Sequence, residues 1–231
     1  MASFFEQGFS EGEDEIPRRV PSLSDITLAD IPPRLGLFPL PGALLLPGGR
    51  LPLNVFEPRY IALLEDALAD RRLIGIIQPD SLAEDMDDLD EPDLHTIGTI
   101  GRITSFTERS DGTFSITLFG VCRFRLLRES GTDRGWRQGI VDASSFSADL
   151  VESEPSPLNR GELMEALRRY FAARRLRTNW PTIEEMDDDT LLLVLPMLVP
   201  FSPNEKQALL EAETLNDRAE VLLDLLARGM E

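Results

Sequence analysis

The sequence predicts an α+β protein: a β-rich N-terminal lobe followed by a C-terminal helical bundle. Two patterns carry this reading. Ile97 to Phe106 and Thr113 to Leu127 flank Arg109-Ser110-Asp111-Gly112, and in the second arm Phe114, Ile116 and Leu118 alternate with Thr113, Ser115 and Thr117, the period of two of strands with one buried face. Beyond Glu152-Ser153-Glu154-Pro155-Ser156-Pro157, apolar residues recur at helical spacing to the end of the chain. A third feature marks the entry to the β lobe. The stretch Leu37 to Tyr60, LFPLPGALLLPGGRLPLNVFEPRY, is apolar yet crowded with Pro39, Pro41, Pro47, Pro52 and Pro58. Core strands avoid proline because it cannot donate to a β-ladder, so this stretch is expected to be buried but irregular.

The elements follow in order. Residues 1 to 32 are acidic and broken by Pro17, Pro21 and Pro32. They read as a flexible arm with a short helix near Leu23 to Asp30. Residues 33 to 150 form the β-rich lobe. Leu35 to Phe38 is a first strand, and Leu51 to Val55 a second after the Gly48-Gly49 turn. Tyr60, Leu63, Leu64, Ala67 and Leu68 set a helix after Pro58. Leu73 to Ile77 is a fully apolar strand. Ile97 to Phe106 and Thr113 to Leu127 form a hairpin across Asp111-Gly112, where both turn residues tolerate positive φ. Trp136 to Phe146 supplies a returning strand.

Residues 151 to 231 form a bundle of about four helices. Leu163, Leu167, Tyr170 and Phe171 make one stripe, and Leu191 to Val199 a buried helix ended near Pro196 and Pro200. Ser202-Pro203-Asn204-Glu205 is a capping box with proline in the first turn. Asn216 or Asp217 opens the last helix and Gly229 stops it.

Composition limits the function. The formal net charge is −18 and Lys206 is the single lysine. Phosphate backbones are bound by Lys and Arg, so this balance opposes a nucleic-acid partner. The basic string Arg168 to Arg177 is the one candidate patch for such binding; its simpler reading is a solvated helix face. The N-terminus lacks a signal-peptide pattern and no apolar run is long enough for a membrane span. The expectation is a cytoplasmic chain with no membrane partner. With Cys122 as the lone cysteine, no internal disulfide forms.

Catalytic machinery is sparse. His95 is the lone histidine, at the start of a strand, and no GxSxG nucleophile motif is present. Cys122 reads as a packed thiol inside a strand. Ser202 and Lys206 stand four apart like a Ser-Lys dyad, but the capping box explains Ser202, and Lys206 then falls on an exposed face. No phosphate-binding loop exists, and Gly98-Thr99-Ile100-Gly101 lacks the rest of a dinucleotide site. The acid run Glu84 to Asp93 lacks the central glycine of a calcium loop and reads as solvated. No catalytic residue, cofactor or metal is assigned. An enzyme using His95, Cys122 or the acid run is the alternative.

Several pieces together resemble a known family. Leu37-Phe38-Pro39-Leu40-Pro41, Leu46-Pro47-Gly48, Leu51-Pro52-Leu53 and Phe56-Glu57-Pro58-Arg59-Tyr60 resemble the opening of the Lon protease N-terminal domain. Gly120-Val121-Cys122-Arg123-Phe124 matches its Gly-x-x-Arg strand, and Phe201 to Glu211 its helical half. The resemblance covers residues 34 to 227. It implies a PUA-like lobe, a twisted antiparallel sheet or pseudo-barrel with one or two helices, followed by the bundle. It also implies recognition of polypeptides or partner proteins, and leaves room for a weak homodimer. Proteolysis does not carry over, since the chain has neither the ATPase phosphate loop nor the peptidase Ser and Lys. PUA-like folds elsewhere bind RNA, which the acidity opposes.

The candidate contact residues lie in the entry segment: Phe56, Glu57, Arg59 and Tyr60, framed by Pro39 and Pro47. Phe56 and Tyr60 offer aromatic anchors and Arg59 a fork for a carboxylate. The competing reading has Glu57 and Arg59 pairing to pin the loop, with Phe56 and Tyr60 in the core.

Overall fold

The computed structural model describes residues 20–80, 92–131, 134–151 and 158–229. Phe4, Phe5 and Phe9, most of the acid run, and the expected linker at 152–157 lie outside the described residues. Six strands are described: β1 (Arg34–Pro39), β2 (Arg50–Val55), β3 (Leu73–Ile77), β4 (Ile97–Glu108), β5 (Phe114–Ser130) and β6 (Arg137–Asp142). Helix α1 (Pro58–Ala69) joins β2 to β3; α2 (Arg160–Ala173), α3 (Trp180–Glu185), α4 (Asp188–Leu198), α5 (Pro203–Glu211) and α6 (Leu215–Arg228) follow the sheet.

The strand order is β2-β5-β4-β3-β1-β6, and β6 also pairs with β5. The sheet therefore closes into a barrel of β5, β4, β3, β1 and β6, with β2 as an outer strand. The 17-residue β5 makes closure possible. Its first part pairs with β2, Leu53 opposite Ile116, and its last part with β6, Arg125 opposite Asp142. Irregularities at Leu126/Arg128 and Ile100/Gly101 supply the bends. Every pairing is antiparallel except β1 with β3, which α1 connects by a crossover.

The hairpin turn differs in detail from the sequence expectation. Only Gly112 takes a positive φ, +79°. The loop closes through Arg109 N–H donating to the Thr113 carbonyl, and Asp111 Oδ1 accepts from the Thr113 N–H and hydroxyl. Residues 20–32, assigned by sequence to the arm, form two 3-10 turns, Leu23–Asp25 and Leu28–Asp30, and bury Ile26 against the barrel. Past β6 a 3-10 helix, Ser144–Leu150, replaces the end of the expected strand.

Three apolar clusters form the core. Leu35, Leu37, Ile77, Ile100, Cys122 and Phe124 fill the barrel lumen. Phe38, Ile74, Ile76, Ile116 and Leu118 form the opposite face, which α1 covers with Tyr60, Leu63, Leu64 and Ala67. The bundle core holds Leu163, Leu167, Tyr170, Leu191, Leu195, Leu209, Leu222 and Leu226. Asp187, Ser202 and Thr214 cap α4, α5 and α6 through backbone N–H groups three residues on. The last helix thus opens at Leu215, with Asp217 completing its capping box. The short α3, which proline at its first turn starts, makes the bundle five helices rather than four.

Candidate functional site

The proline-rich entry segment is mostly an internal wedge. Leu44 and Leu46 insert into the bundle core, while Leu45 between them inserts into the core under α1. All three are buried, and each full burial is worth roughly 1.5–3 kcal/mol. The segment is docked by backbone bonds: Gly48 N–H donates to the Gly120 carbonyl and Gly120 N–H to the Gly49 carbonyl. A Cβ on Gly120 would stand 2.1 Å from the Leu46 carbonyl oxygen, so glycine permits this approach. Pro39 and Pro47 are half-buried at the two ends of the wedge.

The cluster after the wedge divides. Tyr60, put forward as a surface anchor, is 7% exposed and packs on Phe38 with ring centroids 4.1 Å apart. It is a core residue, because as the third residue of α1 it starts the stripe continued by Leu63, Leu64 and Ala67. Glu57 and Arg59 pair at 3.1 Å, and the Arg59 guanidinium lies 4.6 Å from the Tyr60 ring centre. Arg59 therefore helps pin the loop. Of the two aromatics in the cluster, Phe56 is the one with an open face, 66% exposed.

Phe56 lies just past β2, at the hairpin end of the sheet. It follows Val55, whose ladder partner is Phe114. In the next row Leu53, Ile116 and Phe106 stand side by side on one face, and Phe106 is 53% exposed. The sequence reading missed Phe106. The signal was a lone aromatic among Thr104, Ser105 and Thr107, outside any core pattern. The free edge beside these residues belongs to β2, where Pro52 removes a backbone donor and discourages strand addition.

A polar seam fixes barrel to bundle. Arg123 of β5 donates to both carboxylate oxygens of Asp149, at 2.9 and 2.8 Å, and to the carbonyls of Leu210 in the last turn of α5 and of Ala212 just past it. Gln78 accepts from Gly42 N–H and donates to Gln207 and to the Pro203 carbonyl. Gln207 donates in turn to the Ile97 carbonyl and Glu211. Arg218 donates to the Leu209 carbonyl, and burial, with Arg123 nearby, pushes its pKa down to about 10.

Among the described residues the catalytic candidates sit in separate surroundings. Cys122 is fully buried in the lumen, and desolvation pushes its thiol up to about 12. His95 lies 3.6 Å from the exposed Asp80 carboxylate. Ser202 Oγ accepts the Glu205 N–H as a cap. Lys206, expected on an exposed face, instead donates to the Gly42 carbonyl at 2.8 Å, and desolvation lowers its pKa. It turns inward because the wedge brings Gly42 against α5. In the basic string, Arg168 pairs with Glu184 and stacks on Trp180, Arg169 pairs with Glu165, and Arg174 donates to the Gly229 carbonyl. Among the described residues no group of three His, Cys, Asp or Glu is placed to hold a metal ion, and no helix is long and apolar enough to cross a membrane.

The closed barrel, the leucine wedge and the capped bundle define a class. Residues 34–228 match the model of the ATP-dependent protease La (LON) substrate-binding domain. The chain belongs to this Lon substrate-binding domain family, as the resemblance implied. It is 31% identical over 213 residues to Lon protease 2 of Myxococcus xanthus, a match covering 89% of this chain and 25% of that protein. It is 29% identical to the Lon protease of Anaeromyxobacter dehalogenans, covering 100% of this chain and 27% of that protein. The chain thus spans about a quarter of the length of the Lon proteases it matches. The crystal structure of a Lon N-terminal domain protein from Xanthomonas campestris superposes with a TM-score of 0.58 at 28% identity, covering 83% of this chain and 97% of that one. The N-terminal domain of the Mycobacterium avium complex Lon protease gives a TM-score of 0.56 at 17% identity and shows the shared fold.

Proposed function

We propose that this chain is a non-catalytic recognition module for polypeptides or partner proteins. The family match over residues 34–228 carries the reading, because the matched domain is described by substrate binding. The surface that suits the role is the open aromatic end of the sheet. Phe56 and Phe106 supply exposed aromatic area, half-buried Leu53 and Phe114 continue it, and the Glu57–Arg59 pair forms a polar rim. Pro39 and Pro47 frame the wedge behind it. Aromatic anchors bind extended chains through apolar contact without requiring one sequence, which fits recognition of unfolded segments.

Fluorescence anisotropy with a labelled, permanently unfolded polypeptide tests the proposal. The intact chain is expected to bind it in preference to the folded parent. Phe56→Ser with Phe106→Ser is expected to weaken binding about tenfold, or about 1.4 kcal/mol, with the urea midpoint little changed. Equal affinity for folded and unfolded probes, or full binding by the double variant, would overturn it.

A further inference from the structure

One mouth of the barrel holds a buried cation that pairs with no acid among the described residues. Arg102 sits on β4 beside Leu73 of β3 and Phe119 of β5, which both join the lumen cluster. Its side chain therefore rises from the lumen-lining face. It is 8% exposed, and it makes no hydrogen bond or ion pair with any described residue. Burial first, and repulsion from Arg72 second, hold its pKa below the ordinary guanidinium value. A buried, unanswered charge is costly to keep, and in native proteins it is normally paired.

A cavity of about 360 Å³ opens at this group, its lining including Val20, Ile26, Asp30, Asp70, Arg71, Leu73 and Arg102. The 3-10 turns of residues 23–30 stand over it. Of the two acids, Asp30 gives one carboxylate oxygen to the Thr27 N–H and hydroxyl. Arg71 uses one N–H on the Asp30 carbonyl, at 2.7 Å, and a guanidinium carries five donors in all. The cavity thus presents two forked cations, Arg102 and Arg71, beside an apolar wall of Val20, Ile26 and Leu73, with the Asp30 and Asp70 carboxylates also in its lining.

We propose that this cavity is a binding site for a small oxyanion, a carboxylate or a phosphate, held by Arg102 and supported by Arg71. The guanidinium fork matches either group with two parallel hydrogen bonds. The apolar wall accommodates a short hydrocarbon stem if the group is a carboxylate. The site is separate from the aromatic end and does not depend on the recognition proposal.

Thermal unfolding of the intact chain tests this, with succinate, inorganic phosphate or chloride added at matched ionic strength. Succinate or phosphate at ten times its dissociation constant is expected to raise the midpoint by roughly 3–5 °C over chloride. The anion that acts identifies the source, carboxylate or phosphate. Arg102→Met is expected to unfold no earlier than the parent in chloride, since it removes an unanswered charge, and to lose the anion response. Arg71→Gln alters an exposed side chain, keeps the fold, and is expected to weaken the response severalfold; it carries the test if Arg102→Met does not fold. No shift of the parent by either anion overturns the proposal. So does an undiminished response in Arg102→Met or, where that variant does not fold, in Arg71→Gln.

Discussion

Arg123 and Asp149 form a two-point ion pair, Nε to Oδ2 at 2.9 Å and Nη2 to Oδ1 at 2.8 Å, at the junction of barrel and bundle. Their side chains are only 6% and 9% exposed. The pair is one half of a larger knot. The Arg123 guanidinium also donates to the Leu210 and Ala212 carbonyls and lies 4.9 Å from the Phe146 ring centre. One arginine on β5 thus holds the 3-10 helix after β6 and the turn between α5 and α6.

Removing one partner is expected to cost far more than the pair contributes. Asp149→Asn leaves the buried Arg123 charge unanswered and should lower stability by about 3–5 kcal/mol in urea unfolding. Replacing both, Arg123→Met with Asp149→Leu, should recover much of that loss. A double variant as unstable as the sum of the singles would show that the carbonyl contacts of Arg123, not the ion pair, dominate.

Two glycine substitutions should separate sharply. Gly120→Ala drives a methyl group into the Leu46 carbonyl oxygen and should cost more than about 2 kcal/mol, or prevent folding, because the clash is with backbone. Gly112→Ala meets no neighbour, and its penalty comes only from holding alanine at φ +79°, about 1–2 kcal/mol. Unfolding midpoints measured side by side check the order.

Cys122 should resist modification in the native state. A thiol raised from 9.0 to about 12 carries almost no thiolate at pH 8, so a disulfide-exchange reagent should label it only as the chain unfolds. The sign of the pH effect follows. The folded thiol keeps its proton where the unfolded one loses it, so the contribution is fully present below pH 9 and is lost as pH rises from about 9 towards 12. The loss across that window is on the order of 4 kcal/mol at about 1.4 kcal/mol per unit. Cys122→Ala should flatten the slope above pH 9.

The polar-aromatic cluster can be divided by mutation. Tyr60→Ala removes a buried ring stacked on Phe38 and should destabilise by roughly 3–5 kcal/mol. Arg59→Ala breaks a half-exposed pair with Glu57 and should cost no more than about 1 kcal/mol. Phe56→Ala should leave stability within about 0.5 kcal/mol of the parent. Chemical denaturation of the three single variants gives the comparison.

The strands, the helix after Pro58 and the Ser202 cap were legible because each rests on local rules. Period-two alternation sets Phe114, Ile116 and Leu118 on one face, and a serine three residues before a glutamate satisfies a helix end wherever the helix packs. The short α3 was less legible, since six residues hold too little periodicity to register. Thr214, not Asn216, opens α6 because its hydroxyl and Asp217 complete a capping box.

The sequence by itself determined the class of fold, the order of its elements, the family, and the irregular, buried character of the proline-rich entry. Tertiary structure alone decided where that entry went: Leu44 and Leu46 to one core, Leu45 to another, Tyr60 inward and Phe56 outward. It alone paired Gln78 with Gln207, 129 positions apart, and left Arg102 beside an open cavity. The physical reason is the range of the forces. Backbone torsions, caps and side-chain periodicity act within a few residues, whereas the partner of a buried polar group is set by which distant segment closes over it.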